Sequence, residues 1–144
     1  MPTINKSAVV PYTQEQMYEL VNDVNAYAEF VPWCVKSQAL DRSEDEVHGE
    51  LTFAKSGLEK SFSTINRLQP HKMIELRLLN GPFKQLEGFW RFEELGDKES
   101  RVLLDLEYEF SSMLIAMMFG PVFQQVAVTL VDAFTDRAKA VYGG

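Results

Sequence analysis

The chain has 144 residues, of which 46% are hydrophobic and ten are Phe. This length suits a single domain, 1–144, with an ample apolar core, because two domains sharing it would each be too small. The formal net charge of −7 excludes nonspecific nucleic-acid binding as the default function, since neutralising phosphates requires a basic surface.

Reactive and metal-binding residue types are scarce. Cys34 is the only cysteine, which excludes an internal disulfide and a cysteine-rich metal site, and its apolar surroundings predict a buried, inert thiol. The only histidines, His48 and His71, have no partner at a catalytic or metal-binding spacing. We therefore expect no enzymatic activity and neither a metal nor a covalent cofactor.

No segment of the sequence predicts export or membrane insertion. The apolar stretch near the N-terminus is too short for the core of a signal peptide. The longest apolar stretch, 113–123, is about half of the length that a membrane-spanning helix needs. These features predict a soluble, cytoplasmic protein.

The N-terminal part of the chain predicts one strand followed by two short helices. A β-rich segment, 3–10, is followed by Pro11. Thr13 and Gln16 have the spacing of a capping box, which predicts that a helix begins there. Asp23 is suited to cap a second helix, 24–30, which the following proline stops.

Between residues 35 and 110, apolar and polar residues alternate with the period of a β-strand. Turn residues interrupt the alternation at five places, so it predicts six strands. In the last of them, Leu104, Leu106 and Tyr108 oppose Asp105 and Glu107. The pattern predicts an antiparallel sheet with one apolar and one charged face.

The helical period returns in residues 112–142, where the apolar residues on one broad face are Phe119, Phe123, Val126, Leu130, Phe134 and Val141. Gly120 and Pro121 predict either a kink in this helix or its division into two pieces. Its apolar stripe is expected to cover the apolar face of the sheet. The elements together predict an α+β fold, in which a curved seven-stranded antiparallel sheet wraps around the long C-terminal helix.

The leading part of this helix, 113–119, is apolar nearly all round and contains three Met residues, whose flexible side chains make an adaptable surface. One interpretation is a gate or a surface that makes transient membrane contact. The alternative is complete burial of the segment in the core.

Positive charge is concentrated in one stretch of this acidic chain. Between residues 55 and 77 the net charge is +3, so the remaining residues carry −10. The stretch is either a solvated sheet face or a local basic strip. The residues of the candidate strip are Lys55, Lys60, Arg67, Lys72 and Arg77.

A strongly curved sheet and a nearly straight helix can touch at two ends and stand apart between them. The residues facing the gap either interlock as a packed core or surround a hollow pocket. Thr64, Asn66 and Tyr108 either offer hydrogen bonds to a ligand or bond internally, and Gly88 either leaves space for a ligand or marks a bulge.

Four segments, 11–34, 79–92, 106–114 and 133–138, together resemble one known family. Their sequences are PYTQEQMYELVNDVNAYAEFVPWC, LNGPFKQLEGFWRF, LEYEFSSML and AFTDRA. They resemble the coenzyme Q-binding, START-like family of the polyketide cyclase and START-like superfamily, which includes proteins known as ribosome association toxins. Ala28 departs from the family pattern, which usually has Pro after the preceding Tyr.

The resemblance implies a helix-grip fold with a long cavity under the C-terminal helix. We predict a cavity that binds ubiquinone or a related isoprenoid lipid without covalent chemistry and so supports respiration. The predicted lining residues are Phe30, Trp33, Phe53, Phe62, Leu76, Leu78, Phe83, Leu86, Trp90, Phe92, Leu106, Tyr108, Phe119, Phe123, Val126 and Leu130.

The resemblance also implies a second role of a different class, in which the protein binds the large ribosomal subunit and blocks subunit joining. Lipid binding would add a peripheral location at the inner membrane, whereas ribosome binding would not.

Two further features have alternative interpretations. Trp33 and the loop 81–83 either form the rim of the pocket or fill a corner of the fold. Arg137 lies near the apolar face of the last helix, and we expect it to pair with Asp105 or Glu107 rather than to contact a ligand.

Overall fold

A computed structural model describes residues 2–143 of the chain. The helices and strands follow the predicted order, and the second short helix is a 3₁₀ helix. They are β1 (Thr3–Val10), α1 (Gln14–Asn22), the 3₁₀ helix (Val24–Glu29), β2 (Cys34–Arg42), β3 (Glu46–Lys55), β4 (Leu58–Gln69), β5 (Met73–Asn80), β6 (Phe83–Gly96), β7 (Glu99–Phe110) and α2 (Met113–Tyr142).

The strands form one seven-stranded sheet in the order β1-β7-β6-β5-β4-β3-β2. Every neighbouring pair is antiparallel, including the long-range pair of β1 and β7. Helix α2 packs on the apolar inner face of this sheet. The predicted helix-grip fold is therefore confirmed.

Helix α1 begins where the sequence predicts. The side chain of Thr13 accepts a hydrogen bond from the Gln16 backbone N–H, and the Gln16 side chain accepts one from the Thr13 N–H. This capping box satisfies two backbone donors that have no partner inside the helix. The side chain of Asp23, in contrast, makes no cap hydrogen bond to the 3₁₀ helix, so that part of the prediction is wrong.

Helix α2 continues without interruption through Pro121, so the predicted division into two pieces is wrong. Proline removes one backbone hydrogen bond from a helix. On either side of it, Phe119 and Phe123 are buried against the sheet and hold the helix in place. At the far end of the predicted stripe, Val141 is 50% exposed, whereas Phe134 of the same stripe is buried.

Gly88 lies where β6 and β7 approach each other most closely. It pairs directly with Leu106 without a bulge, and a Cβ atom there would lie 2.0 Å from the carbonyl oxygen of Asp105. Neither interpretation made from the sequence holds, because Gly88 neither leaves a gap nor marks a bulge. Its missing side chain allows the two backbones to come together.

We predict that Gly88→Ala destabilises the fold, because the new methyl group would overlap the backbone of β7. We expect the free energy of unfolding to fall by about 2 kcal/mol or more in urea denaturation. Gly96→Ala is the matched control in the same strand, since nothing lies within 4 Å of a Cβ atom there. Its effect should stay within about 0.5 kcal/mol. Equal losses in the two variants would contradict this account.

Candidate functional site

An internal cavity of about 90 Å³ lies between α2, the inner face of the sheet and the 3₁₀ helix. Its walls are apolar apart from a few polar groups. The residues that line it are Val24, Tyr27, Val31, Gly49, Leu51, Phe53, Phe62, Thr64, Asn66, Leu76, Leu86, Trp90, Leu104, Leu106, Phe123, Val126, Ala127 and Leu130.

Part of the predicted lining surrounds this cavity and part lies elsewhere. The predicted residues found in its wall are Phe53, Phe62, Leu76, Leu86, Trp90, Leu106, Phe123, Val126 and Leu130. The predicted residues found outside it are Phe30, Trp33, Leu78, Phe83, Phe92, Tyr108 and Phe119. Most of the second group are packed against other aromatic rings.

Five aromatic rings fill the space beneath the first turns of α2. We call Phe83, Tyr108, Phe110, Phe119 and Phe123 the aromatic cluster. The ring of Phe123 lies 4.8 Å from that of Tyr108 and 5.0 Å from that of Phe83, measured between centroids. The gap between helix and sheet is thus packed at this end and hollow beyond Phe123.

The other predicted lining residues that lie outside the cavity make separate contacts. Phe92 packs edge-on against Tyr18 of α1, and Phe30 packs edge-on against Phe134 of α2. Leu78 is half-buried and packs against the core beside the cavity residues. These side chains stabilise the walls around the cavity rather than forming its surface.

The sequence prediction missed the contribution of the 3₁₀ helix. Val24 and Tyr27 from this helix, and Val31 just after it, close one side of the cavity. The helix can approach β3 closely because Gly49 has no side chain, and a Cβ atom there would lie 3.2 Å from Val24 Cγ1. Six residues in a 3₁₀ helix show no regular apolar period, so alternation within the strands could not reveal this wall.

Four side chains with polar groups, those of Tyr27, Thr64, Asn66 and Trp90, lie in the cavity wall. The hydroxyl of Tyr27 donates to the backbone carbonyl of Val21, and burial raises the pKa of this phenol well above its usual value. The Thr64 hydroxyl donates to Asn66 Oδ1 over 2.7 Å, and Asn66 is buried. None of the described residues that line the cavity is charged.

The volume of the cavity limits what it can hold without a change of shape. An engineered apolar cavity that binds benzene is about 150 Å³. At about 90 Å³, this cavity is smaller than that. A ligand with the bulk of a quinone ring therefore requires α2 or the aromatic cluster to move away from the sheet.

The loop before β2 holds Trp33 in an unusual conformation. Its φ of 60° lies in the left-handed region, which is uncommon for a bulky residue and costs about 1–3 kcal/mol. The Trp33 carbonyl accepts a hydrogen bond from Ala54, and Lys55 Nζ lies 3.9 Å above the indole ring. These contacts hold the half-buried ring at the edge of the sheet, outside the cavity.

The first turns of α2 expose a surface that we call the methionine patch, formed by Met113, Leu114, Met117 and Met118. These side chains are 83%, 64%, 73% and 55% exposed, respectively. The alternative of complete burial is therefore wrong for this segment, and only Phe119 within it is buried. No charged residue occurs between Glu109 and Asp132, so the patch lies in a long uncharged stretch.

Helix α2 as a whole is more apolar than the short stretch considered from the sequence suggests. It is long and apolar enough to cross a membrane by length and composition alone. In the described structure it packs against the sheet, and 33% of its most apolar part is buried. The helix therefore presents apolar surface both to the core and to its surroundings.

The five residues of the candidate basic strip are spread from the end of β3 to β5. Arg67 lies 3.8 Å from Glu46 and Arg77 lies 3.1 Å from Glu75, so carboxylates partly neutralise both guanidinium groups. Lys60 lies near the start of β4 and Lys72 lies just past its end, up to about 40 Å apart along the strand. Lys55 stacks on Trp33 instead of extending the strip.

Arg137 joins α2 to the 3₁₀ helix. Its Nη2 atom lies 2.9 Å from Glu29 Oε1, and its guanidinium group lies 5.0 Å from the centre of the Phe30 ring. The predicted pair with Asp105 or Glu107 is therefore wrong, because those carboxylates lie on the outer face of the sheet. The contact fixes the 3₁₀ helix over the cavity.

The reactive residue types take structural positions. Cys34 is buried, and its burial raises the pKa of the thiol to about 11, so the thiol remains protonated near neutral pH. His48 lies 3.0 Å from Glu46 and His71 lies 4.0 Å from Glu19. Within residues 2–143, no three side chains are grouped in a way that could hold a metal ion.

Two similar proteins have names that describe different functions. The chain is 46% identical over 140 residues to the protein "Ribosome association toxin RatA" of Pseudomonas aeruginosa, with 97% of each chain covered. It is 31% identical over 143 residues to "Coenzyme Q-binding protein COQ10 homolog B, mitochondrial" of Xenopus laevis, covering 96% of this chain and 59% of that protein.

Solved structures share the fold over the whole chain. The solution structure of the 18 kDa protein CC1736 from Caulobacter crescentus is 34% identical, with a TM-score of 0.76 and complete coverage of both chains. The crystal structure of the Zhui aromatase/cyclase from Streptomyces sp. R1128 has a TM-score of 0.85 at 18% identity, covering 99% of this chain and 98% of that one. The latter likeness shows the fold alone.

A family model described as "Polyketide cyclase / dehydrase and lipid transport" matches residues 10–135. This range includes strands β2 to β7, the cavity and most of α2. It agrees with the START-like resemblance of the sequence segments. The chain belongs to the polyketide cyclase/dehydrase and lipid transport family, of the START-like type.

Proposed function

We propose that this protein associates with ribosomes and acts as a toxin in the manner that the names of its relatives describe. The observation that carries the proposal is the 46% identity to the ribosome association toxin of Pseudomonas aeruginosa across 97% of both chains. The Escherichia coli protein of the same name is 42% identical over 142 residues and supports the same reading. The proposed target is the large subunit, whose contact would block subunit joining.

The charge distribution bears on how such a contact would form. The chain carries −7, and its candidate basic residues are dispersed or paired with carboxylates. Binding through many phosphate contacts requires clustered positive charge. We therefore infer that the contact depends mainly on surfaces other than this group of basic residues.

A second function is supported by the cavity itself. We propose that the protein binds an apolar ligand there, with ubiquinone or another isoprenoid lipid as the leading candidate. Its support is the apolar lining, the lipid-transport description of the family and the likeness to a coenzyme Q-binding protein. Burial of apolar ligand surface contributes about 25 cal/mol per Å², which supplies affinity without covalent chemistry.

The methionine patch gives this second function a route to its ligand. We propose that the patch touches a lipid bilayer transiently, because it exposes flexible apolar side chains at the end of the fold where the aromatic cluster closes the gap. The protein would then be cytoplasmic and reach the inner membrane only peripherally. A non-enzymatic role is proposed for both functions.

We predict that the purified protein sediments with isolated large ribosomal subunits and reduces their joining to small subunits. Reversing two charges, with Lys60→Glu and Arg67→Glu together, should change the affinity less than threefold, because these side chains do not belong to one basic surface. Sucrose-gradient sedimentation measures both effects. Absence of the native protein from the subunit fractions would reject the ribosome proposal. Loss of binding in the double variant would instead show that the ribosome contact depends on these basic residues.

We predict that protein isolated from its own cells carries a neutral lipid near one-to-one stoichiometry, detected by organic extraction and mass spectrometry. Ala127→Leu places three more carbon atoms in the cavity wall and should abolish this lipid while leaving the fold intact. Circular dichroism and urea unfolding provide the control for folding. An extract without lipid from the native protein would count against the ligand proposal.

We predict that the native protein floats with liposomes of phosphatidylethanolamine and phosphatidylglycerol in a density gradient. Met117→Glu and Met118→Glu together should abolish flotation, since each places a charge in the apolar contact. Ala140→Glu and Val141→Glu add the same charges to the exposed far end of α2 and should leave flotation unchanged. Failure of the native protein to float, or equal loss in both variants, would exclude membrane contact through the patch.

A further inference from the structure

We propose that the cavity binds a neutral ligand in one orientation, with a polar oxygen directed inward at Thr64 and Asn66 and an apolar tail directed toward Phe53 and Phe62. This inference rests on the proposed ligand-binding function and specifies the chemical class of the ligand. Ketones, quinones, esters and alcohols with long hydrocarbon tails belong to that class.

The polar side-chain groups in the cavity wall belong to Tyr27, Thr64, Asn66 and Trp90. The indole of Trp90 packs edge-on against Phe134. The Tyr27 hydroxyl already donates its proton to the Val21 carbonyl and so lies in an internal contact. Thr64 and Asn66 are two positions apart on β4, point to the same face and therefore form the polar end of the cavity.

Asn66 is the central group of this polar end. Its side chain is buried, and only 6% of the residue is exposed. Its Oδ1 accepts the Thr64 hydroxyl proton, whereas its Nδ2 has no hydrogen-bond acceptor within the described part of the chain. Nδ2 keeps accessible surface, because within the described residues only Asn22 Oδ1 and Ser100 Oγ are fully enclosed side-chain atoms without a partner. A ligand oxygen can therefore reach this amide, and a hydrogen bond in the apolar wall would contribute more than one at the protein surface.

Ionised ligands are excluded from the same position. None of the described lining residues carries a charge that could pair with a carboxylate or a phosphate. Moving such an anion from water into an apolar cavity without a counter-charge is strongly unfavourable. Fatty-acid anions and phospholipid headgroups are therefore excluded from the polar end, whereas a neutral carbonyl is accepted.

The position of Asn66 in the sheet determines the direction of the tail. Asn66 pairs with Val47 and Leu76, well inside the sheet. Phe62 lies four residues earlier on β4, about 13 Å toward the end where α2 begins. With its oxygen at Asn66, a ligand longer than its polar ring extends past Phe62 and Phe53 toward the methionine patch, which requires the aromatic cluster to move aside.

The experiment compares three probes by isothermal titration calorimetry: decylubiquinone, decylbenzene and dodecanoate at pH 7.5. The first has a neutral oxygen-bearing head, the second lacks the oxygens and the third is ionised. We expect the native protein to bind decylubiquinone at least tenfold more tightly than either of the others. Asn66→Leu, which has a similar volume, should remove the preference over decylbenzene by weakening quinone binding about tenfold.

A spectroscopic measurement separates hydrogen bonding from a general effect on folding. In the native complex, infrared spectra of ¹³C-carbonyl-labelled decylubiquinone should show one carbonyl band lowered by hydrogen bonding. Asn66→Leu should lose this shift, and Thr64→Val should weaken it because Thr64 orients the amide. Thr64→Val tests the inference even if Asn66→Leu does not fold.

The outcomes distinguish this inference from the function on which it rests. Equal binding of decylubiquinone and decylbenzene by the native protein, or a carbonyl shift that persists in Asn66→Leu, would overturn the proposed orientation and leave apolar ligand binding intact. Preferred binding of dodecanoate would overturn the requirement for a neutral head. Binding of none of the three probes would overturn both proposals.

Discussion

The structure depends on burying the apolar side of α2 against the inner face of the sheet. Seven strands expose a continuous apolar surface on that side, and no other described element is long enough to cover it. Phe119, Phe123 and Phe134 are buried along α2, and the first two lie on either side of Pro121, through which the helix continues. The cavity is the part of this interface that the side chains of helix and sheet leave unfilled.

Much of the fold could be predicted from the sequence because it follows from repeating patterns. The strand period, the capping box at Thr13 and the long helical stripe each correspond to an element of the structure. The alternation of apolar and polar residues predicts which face of the sheet a side chain occupies. It does not predict which other aromatic rings that side chain contacts. For this reason Phe83 and Tyr108 were predicted on the correct face, yet they belong to the aromatic cluster rather than to the cavity.

Long-range contacts could not be predicted from local sequence patterns. Arg137 pairs with Glu29, which is 108 positions away in the sequence, and no spacing rule connects them. The wall made by Val24 and Tyr27 depends on Gly49 in another element. Exposure of the methionine patch was equally hidden, since an uncharged segment is compatible with a core as well as with a surface. The sequence patterns also do not distinguish between the two proposed functions, and the similar proteins support ribosome association.

The pairing of β1 with β7 affects how the protein folds while it is synthesised on the ribosome. Thr3 pairs with Glu107, so the first strand has no partner until more than a hundred residues have been synthesised. Even then the inner face of the sheet stays uncovered until α2 emerges. Contacts between such distant parts of a chain form slowly, and exposed apolar strands aggregate meanwhile. We therefore expect the nascent chain to need protection by chaperones up to the moment when its last helix closes the core.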